Sequence, residues 1–151
     1  MPSAPSWRAA ALACAAACAT LAAGLPAAAQ NAPPEPLALR KIMRDLGHDM
    51  EAVSGAISRE DWTAIAKLAP RIASHPQPPA GEKLRILSFA GSNASAFRAH
   101  DQRTHDAALA LQEAAARADG KGVIAAFATL QNTCLACHQA FRPSFVEHFY
   151  G

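Results

Sequence analysis

The sequence predicts an all-α fold, an antiparallel four-helix bundle, on three observations. Four stretches repeat apolar residues at helical spacing, and short proline-, aspartate- or glycine-containing segments separate them. No alternating β-branched run is long enough to make a strand. The length of 151 residues is one domain's worth of chain.

The N-terminus reads as an export leader. Arg8 is the only charge before Glu35, and an alanine-dominated apolar run over 9–25 leads to Pro26 and Ala27-Ala28-Ala29. That order predicts a cleaved signal peptide over 1–29, cut next to Ala29, and a periplasmic mature chain over 30–151. A retained membrane helix is the rival, but the run is short beside the about 20 residues of a span. Cys14 and Cys18 leave with the leader, since Ala11-Leu12-Ala13 is a poor lipoprotein box.

The mature chain opens on the proline-rich stretch 31–36, and the first helix is expected to start near Pro36. Its apolar seam is Leu39, Met43, Leu46, Met50, Val53 and Ile57, alternating steps of four and three. Ser58 and Asp61 resemble a capping box for a second helix, striped by Trp62, Ile65, Ala69 and Ile72. His75-Pro76-Gln77-Pro78-Pro79 stops it. A brief helical turn over 82–89 ends at Gly91-Ser92-Asn93. A third long helix over 94–118 turns Phe97, Ala108, Leu111 and Ala115 inward. After the turn Asp119-Gly120-Lys121-Gly122, a fourth helix carries Val123, Phe127, Leu130, Cys134, Cys137 and Phe141. Pro143 is expected to end or kink it before the aromatic tail of Phe145, Phe149 and Tyr150.

Charge excludes some partners. The 14 Lys and Arg against 12 Asp and Glu leave +2, and losing Arg8 leaves +1. With no basic run anywhere, neither nucleic acid nor an anionic membrane is an expected partner.

Removing the leader leaves two cysteines, and Cys134-Leu135-Ala136-Cys137-His138 is the pattern of covalent haem attachment. At about 100° per residue the three donors share a narrow arc of one helix face. Two thiols there can hold the two vinyl groups of one haem c, while the imidazole ligates its iron. The rivals are weaker. A thioredoxin-like pair wants a βαβ context, a structural zinc wants a fourth ligand, and a disulfide inside one helix is strained.

A haem motif near the C-terminus of a helical bundle resembles the cytochrome c-prime family. Thr133-Cys134-Leu135-Ala136-Cys137-His138-Gln139-Ala140-Phe141-Arg142 follows that family's pattern, as does Met43-Arg44-Asp45-Leu46-Gly47-His48-Asp49-Met50. The resemblance covers about 36–142 and departs in three places. Leu39 stands where the family has an arginine near a haem propionate, with Arg40 beside it. Gly91 or Ser92 replaces a tryptophan, and the tail after Pro143 is long.

The resemblance also places Met43 at the distal haem position, most like the family's low-spin, methionine-ligated members. Methionine at helical spacing is otherwise usually core packing, and Met50 lies two turns away, about 10 Å along the axis. The expected function is a one-electron carrier for redox partner proteins, the iron held by His138 and Met43. The alternative is a five-coordinate protein that binds nitric oxide or carbon monoxide over an open distal face. No acid–base pair marks it as an enzyme. Arg142, one turn past His138, is expected beside the proximal face of the haem. The resemblance also allows a homodimer through the first two helices. His48, His75, His100, His105 and His148 are expected to be ordinary surface histidines; His100 and His105 could approach the haem from the third helix, but neither is the expected ligand.

Overall fold

The computed structural model describes residues 35–151; the predicted leader and its cleavage site lie outside the described residues. Five helices follow one another: α1 Ala38–Ser58, α2 Trp62–Ala73, α3 Ala80–Ala90, α4 Ala94–Ala116 and α5 Gly120–Tyr150. Four of them, α1, α2, α4 and α5, pack as the expected all-α bundle, with no strand among the described residues. Helix α4 lies at the centre, packed along both α2 and α5; α1 packs on α2 and meets α5 only marginally.

The core is aliphatic and lies toward the α1–α2 and α4–α5 turns. Val53, Ile65, Ile72, Leu111, Val123 and Leu130 are its largest fully buried side chains. Small residues let the helices approach: Ala56, Ala69, Ala108, Ala114 and Ala115 are all buried between them. Trp62 closes that end against the first turn of α5, where Gly120 makes room for it. A Cβ there would come 3.1 Å from the indole.

Both turns at that end are built alike. Asp61 N–H bonds Ala56 O and Glu60 N–H bonds Ile57 O; Asp119 N–H bonds Ala114 O and Ala118 N–H bonds Ala115 O. Each is a Schellman stop, with Glu60 (φ 55°) and Ala118 (φ 53°) in the left-handed region usually given to glycine. The aspartate that follows caps the next helix: Asp61 accepts from Ala64 N–H and Asp119 from Gly122 N–H, each at 2.9 Å. Ser58, expected as the cap of α2, is instead the last residue of α1 and bonds back to Ser54 O.

Two further expectations change. The brief turn over 82–89 is an eleven-residue helix, joined to α4 through a single 3-10 turn at Gly91–Asn93, with Gly91 at φ 53°. Glu82 on α3 takes the amide hydrogens of Ala38 and Leu39 at 2.7 and 2.8 Å, so it caps α1 from a distant helix. Pro143 neither ends α5 nor separates a loose tail, since the helix runs on to Tyr150. The reason is tertiary. Phe145 and Phe149 each sit 5.5 Å from the Phe89 ring on α3, and this packing offsets the hydrogen bond that proline cannot donate.

Candidate functional site

Helix α5 presents its apolar face to the core as far as Leu130 and then runs out beyond it. Cys134 is half-buried at the edge of the core and Cys137 is half-buried one turn further on. Beside them α4 and α5 are tied together. Thr104 Oγ1 donates to Thr133 Oγ1 at 3.2 Å, and Thr133 Oγ1 donates to Leu130 O at 2.7 Å. These bonds fix the rotation of α5 next to the first cysteine.

Both thiols are free. Burial pushes each above the ordinary cysteine range; for Cys137 the nearby charge of Asp101 adds to it, while Arg103 opposes. His138 is exposed. Partial burial of its ring, and then the positive charge of Arg142, hold it below the ordinary histidine range. Its ring therefore keeps a neutral nitrogen lone pair near neutral pH. Arg142 itself is exposed, four residues on from His138.

The two methionines of the described chain separate here. Met50 is half-buried against the core, whereas Met43 is 41 % exposed and belongs to no core cluster. The expected seam of α1 is therefore only partly inward: its buried residues are Ile42, Asp49, Val53 and Ala56. Helix α1 packs chiefly on α2 and meets α5 only marginally, so its apolar seam is not covered along its whole length.

The other histidines are mostly engaged elsewhere. His105 Nδ1 donates to Ala73 O at 2.8 Å, joining α4 to α2. His75 Nδ1 donates to Ile72 O, and its Nε2 lies 3.4 Å from Asp101. His48 faces Glu51, and His148 stacks 5.0 Å from Phe89. Three of these expected surface histidines thus hold helices together. His100 is different: its Nδ1 is buried with no partner, and its ring sits edge-on to Phe141, which also meets Phe97 at 5.2 Å. Burial, and then Arg103, push it below the ordinary range. This aromatic group one turn beyond His138 was not singled out from the sequence as a site. Only the inward position of Phe97 and Phe141 pointed to it.

No group of three His, Cys, Asp or Glu among the described residues is placed to hold a metal ion by itself. Cys134, Cys137 and His138 thus form a row along α5 instead of converging as zinc ligands do. A row of two free thiols and one neutral imidazole suits a flat group attached along its edge and ligated at its centre. The residues present therefore fit a haem c: Cys134 and Cys137 can bind it, His138 can ligate its iron, and Met43 offers an uncommitted thioether.

Fold and donor row together define a c-type cytochrome built on a helical bundle. The sequence profile described as Cytochrome C' matches residues 37–142, and the chain belongs to that family, which implies covalently bound haem c. No curated protein matches the sequence.

Proposed function

We propose that the protein is a periplasmic one-electron carrier with a single haem c, held by Cys134 and Cys137 and ligated by His138 and Met43. The observation that carries this reading is the contrast between the two methionines. Met50 is packed on the core, and Met43 is exposed with nothing holding it. The haem iron supplies the one-electron couple when bound.

Each residue plays a separate part. Cys134 and Cys137 tether the cofactor along one edge, which prevents its loss. His138, kept neutral by partial burial and by Arg142, offers a nitrogen donor without first losing a proton. Met43 offers a soft sulfur that favours the reduced metal and raises the potential. An iron capped by the same two donors in both oxidation states would change geometry little, which suits fast electron exchange. Export is supported by the leader pattern over 1–29, and no helix among the described residues is long and apolar enough to cross a membrane. A redox partner protein is the expected partner.

The same observation supports a second reading. Because packing does not lock Met43, its sulfur can leave the distal position to nitric oxide or carbon monoxide. Absorption spectra of the haem-loaded protein, ferric and ferrous, with and without carbon monoxide, decide between the two. A low-spin spectrum indifferent to carbon monoxide, turned high-spin and responsive by Met43→Ala, supports the carrier. A wild-type spectrum that is already high-spin, and shifts with carbon monoxide, overturns it in favour of gas binding.

A further inference from the structure

One carboxylate stands between the helix that carries the donor row and the rest of the bundle. Asp101 on α4 lies 3.4 Å from Nε2 of His75, the residue after the cap of α2, whose side chain is only 12 % exposed. That ring is already fixed by its other nitrogen, since Nδ1 donates to Ile72 O at 3.2 Å. Nε2 therefore faces α4, where the protonated ring pairs with the carboxylate. The next carboxylate on α4, Asp106, is engaged by Gln102 at 2.8 Å.

Helices α4 and α5 run antiparallel, and three contacts fix their register. Phe97 meets Phe141 at 5.2 Å, His100 meets the same ring at 5.8 Å, and Thr104 bonds Thr133. Asp101 lies one turn before Thr104, and Cys137 lies one turn past Thr133, so the two stand at one level of the bundle. The thiol feels that neighbour: after burial, the charge of Asp101 is what raises Cys137, while Arg103 acts against it. His75 braces the carboxylate from the α2 side of α4, and Cys137 stands on the α5 side.

Cys137 is one of the two sulfurs that attach the haem, so a charge felt at this sulfur acts on the group bonded to it. The oxidised haem carries one more positive charge than the reduced form, and a fixed anion favours it. We propose that Asp101, braced by His75, sets the reduction potential, its carboxylate stabilising the oxidised haem and opposing the soft sulfur of Met43. The inference rests on the haem reading above and does not require Met43 to ligate. One electron passes between the haem and its redox partner protein; no bond forms or breaks at Asp101.

The test is a potentiometric titration of the haem-loaded protein at neutral pH, at low and at high ionic strength. Asp101→Asn keeps the shape of the side chain and removes its charge. It should raise the midpoint potential at low salt. The difference from the wild type should shrink as salt is added, because the carboxylate is 52 % exposed and open to counterions. Asp101→Glu keeps the charge and should stay nearer the wild-type potential, whereas Arg103→Gln should lower it. The absorption spectrum, which reads the axial ligands, should be unchanged in all three. A wild-type midpoint potential in Asp101→Asn overturns the proposal. So does an equal shift in Asp101→Asn and Asp101→Glu, which would mark a structural role. Wild-type protein that carries no covalent haem would overturn the haem reading and this inference together.

Discussion

The two ends of this bundle are made by the same helices and differ in kind. At the turn end, Val53, Ile65, Leu111 and Val123 are fully buried, two Schellman stops reverse the chain, and Trp62 seals the edge. At the other end the same helices carry two free thiols, an exposed thioether, an exposed imidazole and two orphaned polar atoms. Packing satisfies the first end by itself. The second end leaves its reactive groups free, and the family implies covalently bound haem c. The difference shows how a small bundle divides its labour: one half supplies stability, so the other can keep reactive groups uncommitted.

That division can be broken or sharpened by experiment. The largest effect belongs to Cys134→Ala with Cys137→Ala, which should abolish covalent haem, measured by the pyridine haemochrome of the denatured protein. Retention of covalent haem in the double variant would break the comparison at once. Next, Leu111→Ala at the turn end should cost about 3 kcal/mol in denaturant unfolding, the usual loss for a buried leucine. Its haem spectrum should stay that of the wild type; a spectral change of the same rank would mean that the two ends are not separate.

A smaller gain is expected at the turns. Ala118→Gly relieves a left-handed alanine but loosens the unfolded chain, for a net stabilisation of about 0.5 kcal/mol. Loss of stability there would mean that the methyl group packs. The smallest effect concerns pH. His100 is held below its ordinary value of 6.5, so the unfolded chain binds the extra proton first as pH falls. Its contribution is neutral above that value and destabilising below it. His100→Asn should therefore flatten the fall in melting temperature between neutral and mildly acidic pH, and an unchanged slope would remove His100 from the account.

Local chemistry made some features legible in the sequence. Cys134, Cys137 and His138 are neighbours along one helix, so their common face follows from helix geometry alone. The breaks at His75–Pro79 and Gly91 were readable because proline and glycine act on their own backbone. The turn at Glu60 was not, because neither glycine nor asparagine marks its left-handed residue. Pro143 misled for the opposite reason: its local tendency to end a helix yields to Phe89, 54 positions earlier in the chain. Met43 and Met50 look alike in a heptad seam, since spacing says which residues share a face but not which neighbour that face meets.

By itself, then, the sequence determined the helical class, the order of the long helices and the donor row on the last one, all consequences of short-range periodicity and covalent proximity. Only the tertiary structure decided that α1 packs chiefly on α2 with Met43 exposed, that α3 caps α1 through Glu82, and that Asp101 meets His75. Those pairings join residues tens of positions apart, where the outcome depends on which packing of whole helices buries the most apolar surface.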